Sequence, residues 1–71
     1  MHSIEEFHIG EEVYHLTNKA SRFIVVEIMK EENYLICSYW IENTKKTVQF
    51  FPYELGKVKE LDFFYVPTIL E

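Results

Sequence analysis

The sequence is poor in residues that staple, punctuate or neutralise a chain. It has one cysteine, two glycines, two prolines and seven basic residues against twelve acidic ones, for a formal charge of −5. The lone Cys37 cannot close an intramolecular disulfide. With no signal-peptide pattern and no apolar run of membrane length, the expected compartment is a reducing cytosol and no membrane partner is expected. The scarcity of Gly and Pro leaves no linker, repeat or low-complexity tract, so residues 1–69 read as one domain. Leu70-Glu71 resembles a cloning-site remnant before a purification tag and is set aside from functional argument. The shortage of Lys and Arg argues against a dedicated nucleic-acid binder, whose affinity comes mainly from neutralised phosphates.

What is abundant is aromatic: six Phe, five Tyr and one Trp in 71 residues, within a chain that is 48% hydrophobic. A disordered segment lacks such groups, so this chain folds. A domain this small buries only about 60% of the surface its unfolded chain exposes, and large side chains are the available supplement to a small core.

Alternation along the chain predicts strands separated by tight turns. Gly10 precedes a strand over 11–17, with Tyr14 and Leu16 on one face and Val13 and His15 on the other; 18–21 reads as a loop. Residues 22–30, rich in β-branched types, form the clearest strand, with Ile24, Val26 and Ile28 on one face. After a polar turn, 34–42 is a long strand whose two faces are both apolar. Asn43-Thr44-Lys45 turns the chain into a strand over 46–51 with Val48 and Phe50 on one side. Pro52 stops that strand, 52–55 makes a single helical or 3₁₀ turn closed by Gly56, and 57–66 is either one more strand or a short helix before Pro67. Four to five short antiparallel strands without a long amphipathic helix predict an all-β meander curled into a small barrel.

The run Leu16-Thr17-Asn18-Lys19-Ala20-Ser21-Arg22-Phe23-Ile24-Val25-Val26-Glu27 resembles the opening of the YodC-like family of small uncharacterised bacterial proteins. There a strand containing Gly-Asp leads to Leu-Lys-Ser-Gly-Gly-Pro and then Met-Thr-Val. Cys37-Ser38-Tyr39-Trp40 is similar to the family's Cys-x-Trp-Phe, with Tyr39 at its Trp and Trp40 at its Phe. Phe51-Pro52-Tyr53-Glu54-Leu55 is similar to its closing Phe-Pro and Leu segment. The likeness covers about residues 7 to 56. Lys19-Ala20-Ser21 stands where the family has Gly-Gly-Pro, and Gly10 falls one residue early. The resemblance implies an SH3-like β-barrel; that family has no assigned activity and so no catalytic residue to transfer.

No nucleophile with a base, no convergent carboxylate pair and no phosphate-cradling glycine loop is present, so no enzyme is expected. Glu5-Glu6, Glu11-Glu12 and Glu31-Glu32 are sequence neighbours that diverge on a strand and read as solvated surface. His2, His8, His15 and Cys37 lack the paired spacing of a zinc site, so neither a metal nor a cofactor is expected. Cys37 reads as a small buried hydrophobe. Lys45, Lys46, Lys57 and Lys59 read as protection of strand edges, with convergence into a basic patch as the competing arrangement.

The aromatics carry the functional expectation. Tyr39-Trp40, Phe50-Phe51 and Phe63-Phe64-Tyr65 are adjacent pairs or runs, which a strand must send to opposite faces, so some rings point out of any single core. Trp40, Phe51 and Tyr53 are the candidate recognition residues, unless the C-terminal segment folds over them. The first expectation is a non-enzymatic protein- or peptide-interaction module using an aromatic surface or strand edge. Single-stranded nucleic-acid binding through rings and a local lysine patch is the second, and a homodimer that completes its core by self-association is the third.

Overall fold

A computed structural model describes residues 2–61. The chain is all-β. β1 (Glu12–His15), β2 (Asn18–Met29), β3 (Tyr34–Ile41), β4 (Thr44–Phe50) and β5 (Leu55–Lys57) form one antiparallel sheet in the order β4-β3-β2-β1-β5. Three 3₁₀ turns, at Ile4–Glu6, Pro52–Glu54 and Val58–Glu60, are the only helical pieces among the described residues. No helix there is long and apolar enough to cross a membrane.

The two longest strands, β2 and β3, lie inside the sheet, where neighbours on both sides use their backbone groups. The turn after β3 falls one residue earlier than expected. Ile41 pairs with Thr44 across Glu42 and Asn43, both with positive φ (50° and 68°), which is the two-residue hairpin geometry. Asn tolerates that region; Glu does not favour it. Glu42→Gly is therefore expected to stabilise the fold by about 1 kcal/mol, read as a raised denaturant midpoint with an unchanged slope.

Several expectations are corrected. Residues 18–21 are not a loop but the first part of β2, though poorly paired: the register jumps from Val13↔Phe23 to His15↔Asn18, so four β2 residues bulge opposite Tyr14. Side chains hold this bulge in place. Ser21 Oγ accepts from His15 N at 2.9 Å and donates to the Asn18 carbonyl at 2.6 Å, and Asn18 Oδ1 accepts from Ala20 N at 3.0 Å. None of Lys19, Ala20 and Ser21 has a positive φ, so this bulge needs no glycine.

A second irregularity, between Val25 and Glu27, overturns the expected face of Ile24, Val26 and Ile28. The extra residue inverts the alternation: Val25 is fully buried, Ile24 is exposed, and Ile28 returns to the core side beyond the bulge. Gly56, expected to close a turn, lies inside β5 beneath the Tyr14 ring, which covers it across the β1–β5 pair. Of the segment 57–66, Lys57 ends β5 and Val58–Glu60 forms a 3₁₀ turn. Residues 62–66, the Phe63-Phe64-Tyr65 run, Pro67 and Leu70-Glu71 lie outside the described residues.

The core is Ile4, Phe7, Val13, Val25, Leu35, Cys37 and Leu55, with Phe23, Ile28, Val48 and Phe50 packed against it. Thus Leu35 and Cys37 mark the inward face of β3. The sheet curls until β1 and β4, which share no ladder, touch, the rings of His15 and Phe50 lying 5.2 Å apart; Leu16 N, donating to the Glu54 carbonyl at 2.9 Å, extends the β1–β5 pairing. No ladder joins β4 to β5 among the described residues, so side chains rather than hydrogen bonds bring the curl together.

Candidate binding groove

The hairpin register decides which rings meet. With Cys37 opposite Val48 and Leu35 opposite Phe50, the inward residues of β3 and β4 face the same space as Phe23 of β2. Phe23 then sits edge-on to both Tyr39 (5.5 Å between ring centres, 81°) and Phe50 (5.0 Å, 72°). These are the attractive T-shaped arrangements, worth about 0.5–1.5 kcal/mol each beyond area burial.

These rings do not fill the curl. An open groove of about 440 Å³ is lined by Ser21, Arg22, Phe23, Tyr39, Trp40, Val48 and Phe50. The half-buried Phe23, Tyr39, Val48 and Phe50 form its floor, and the exposed Arg22 and Trp40 stand at its rim. Arg22 is held there by the bulge: its Nη1 donates to the carbonyls of Lys19 at 2.6 Å and Ser21 at 2.7 Å, with Glu12 Oε2 4.0 Å from Nε. Trp40 is 67% exposed and pairs across the ladder with Lys45. An apolar floor with a fixed cation and a large ring at the rim can take an apolar side chain while fixing a polar group beside it.

The three expected recognition residues separate. Trp40 lies on the groove, whereas Phe51 (37% exposed) and Tyr53 (51%) stack on one another, ring centres 5.5 Å apart and nearly parallel, beyond the Phe50 end of β4. Their stack is set by the 3₁₀ turn, in which Phe51 N donates to Glu54 Oε1 at 2.9 Å and Glu54 N to the Phe51 carbonyl at 2.9 Å. The floor residues were not singled out from the sequence. The signal was there in the alternation Cys37/Tyr39 and Val48/Phe50, but using it requires the Glu42-Asn43 register.

The four lysines do not form one patch. Lys45 and Lys46 are exposed on β4. Lys57, only 6% exposed, places its ammonium against the Glu6 carbonyl, 3.2 Å from Glu11 Oε2 and 5.2 Å from the centre of the Phe7 ring. Lys59 approaches the same Glu11 oxygen at 3.6 Å. Neither ammonium makes a hydrogen bond to that buried oxygen, so Coulomb attraction at low exposure holds the group. Glu11 Oε1 accepts from His8 N at 3.2 Å, which ties the entry to β1 to the same cluster.

Among the described residues no three His, Cys, Asp or Glu side chains gather in a way that could hold a metal ion. His15 instead bonds Thr17 through Nδ1 (2.7 Å), and His2 spans two carboxylates, Nδ1 to Glu6 at 2.6 Å and Nε2 to Glu60 at 3.0 Å. The His2 hydrogen bond, and then its charge, hold the exposed Glu6 carboxyl below its ordinary value.

Cys37 is fully buried, and burial pushes its thiol up to about 11. It is a packing group at neutral pH, because the nucleophile is the thiolate. A native-state pKa above the unfolded one stabilises the fold below the unfolded value, and that stability is lost as pH rises through about 9 to 11. Cys37 is expected to resist alkylation at pH 8 until the chain is unfolded by denaturant. Stability should also decline at alkaline pH more steeply in the wild type than in Cys37→Ala; rapid native labelling would place the thiol at the surface. No protein-family model, curated protein or solved structure matches the chain.

Proposed function

We propose that this protein is a non-enzymatic interaction module that binds a peptide or protein segment at the Trp40 groove. One observation carries the reading: an exposed Trp40 at the rim of a groove with a half-buried apolar floor, the composition of a binding hot spot rather than of solvated surface. The strand order and the 3₁₀ turn between β4 and β5 support the SH3-like arrangement implied by the resemblance to the YodC-like family. A reducing, cytosolic setting suits an unpaired buried Cys37. The Phe51–Tyr53 stack serves as a second apolar contact for a partner that extends past β4.

A display selection against the immobilised protein, with each selected peptide then measured on variants, tests this reading. Trp40→Ala is expected to weaken selected peptides by about tenfold or more, with Tyr53→Ala weakening only the longer ones. Peptides that bind Trp40→Ala as well as wild type would contradict the groove. The second reading, single-stranded nucleic-acid binding, draws on Arg22, Lys45 and Lys46 beside Trp40; retention of single-stranded RNA at low salt, lost in Trp40→Ala, would favour it.

A further inference from the structure

The hairpin fixes which backbone groups of β4 are free. In a two-residue hairpin the residues flanking the turn form a hydrogen-bonded pair, and bonded and non-bonded pairs alternate from there. Ile41↔Thr44 is that first pair, so Lys46, Val48 and Phe50 spend their backbone groups on β3, whereas Lys45, Thr47 and Gln49 aim theirs outward. Among the described residues β4 has a single neighbour, β3, and its outer edge is unpaired. A strand laid on that edge would project alternate side chains inward, beside Val48 and Phe50, which are groove residues.

Charge selects what that strand carries. Lys45 and Lys46 sit at one end of the edge, Arg22 stands on the rim, and Lys19 is in the same bulge. The nearby acids are Glu42 in the turn, Glu12, which approaches Arg22 at 4.0 Å, and Glu54 past the Phe50 end of β4, away from Lys45 and Lys46, where its carboxylate already accepts from Phe51 N. The acids at the other end of the β2–β3 hairpin, Glu31 and Glu32, lie past Tyr34, six strand residues from Trp40 and so roughly 20 Å away, about two Debye lengths at physiological salt. Lysines on an edge also discourage a second copy of the same edge from pairing there.

Resting on the groove reading above, we propose that β4 accepts an acidic, extended peptide as a sixth strand. The peptide's backbone bonds to Lys45, Thr47 and Gln49, its apolar side chains enter the groove beside Val48 and Phe50, and its carboxylates lie against Lys45, Lys46 and Arg22. A polynucleotide fits less well. The edge offers alternating donors and acceptors that match a peptide backbone, and a chain of net charge −5 repels a polyanion that outreaches four local cations.

The test uses the ¹⁵N-labelled full chain and four probes: the peptide Phe-Thr-Val-Thr-Glu-Glu, its reversed sequence, a version with Lys for Glu, and a version N-methylated at alternate residues. Before any probe is added, the amides of Lys45, Thr47 and Gln49 should exchange rapidly with solvent. One acidic order should then shift and protect those three amides, binding about tenfold or more tightly than the Lys version, and N-methylation on the bonding edge should abolish the protection. Thr47→Pro, which removes an outward N–H without touching the β3 ladder, should weaken the same probe.

Slow exchange of the three amides in the free protein would mean the edge is already occupied by this chain or a second copy and would overturn the inference, as would absence of shifts with either acidic order. Binding that survives N-methylation and Thr47→Pro but is lost in Trp40→Ala would leave the groove reading standing and remove the edge. Preferential binding of oligo-dT over the acidic peptides would overturn both.

Discussion

Leu35→Ala is expected to lower the melting temperature by roughly 15–30 °C, a far larger effect than truncation at the groove rim would have. Leu35 is completely buried on the central β3, pairing with Ile28 of β2 on one side and Phe50 of β4 on the other. Removing three carbons from such a site costs about 2–5 kcal/mol, the transfer term plus the cavity left behind. A chain of this length has only about 4–10 kcal/mol of total stability, so much of it disappears. The neighbours cannot close the gap easily, since Phe50 is also committed to Phe23 and His15. Leu35→Met, which conserves volume, should cost less than about 1.5 kcal/mol. Thermal melts of the three proteins check this, and equal losses for Ala and Met would mean that packing volume at this position is not what matters.

Lys57→Ala is the second large effect, a loss of about 3 kcal/mol. The side chain is charged yet 6% exposed, and its ammonium serves the Glu6 carbonyl, Glu11 and the Phe7 ring together. Its removal leaves Glu11 buried with only the more distant Lys59, at 3.6 Å, and leaves the Glu6 carbonyl without its donor. The value sits at the low end for a broken buried pair because Lys59 remains. Two further measurements identify the cause. The loss should persist in high salt, which screens exposed pairs far more than buried ones, and Lys57→Met combined with Glu11→Leu should recover most of it. A loss below about 1 kcal/mol in equilibrium denaturation, the range of an exposed pair, would show that the ammonium escapes to water.

Those two residues show what was and was not legible in the sequence. Leu35 and Cys37 share a face by simple alternation, and a strand of that composition is visible at a glance; the all-β class, the 3₁₀ turn after Pro52 and the burial of Cys37 follow from such local patterns. Lys57 was invisible in its true role. Its partners Glu6 and Glu11 lie more than forty residues earlier, and nothing local distinguishes it from Lys59. The face of Ile24, Val26 and Ile28 failed for another reason: period-2 alternation holds only while the register does, and the irregularity between Val25 and Glu27 inverts it.

For the site, the rule that adjacent aromatics must part was sufficient to mark Trp40 as exposed, although Trp40 and Tyr39 line the same groove, at its rim and its floor. It could not say that Phe51 and Tyr53 would stack on each other away from Trp40, because that depends on the carboxylate of Glu54 closing the turn on Phe51 N. The groove floor depends on a hairpin register that hinges on a Glu at positive φ, a residue type that gives little warning of a turn.

Binding at the groove requires that Trp40 stand uncovered in the free protein, ready for a partner. Trp40 is the only tryptophan in the chain, so its fluorescence reports that position alone. In dilute native protein the emission should resemble that of indole in water and be quenched by acrylamide nearly as efficiently as in the unfolded chain. A blue-shifted emission shielded from the quencher, in a species shown to be monomeric, would mean that the chain itself covers Trp40 and that the groove is not open to a partner.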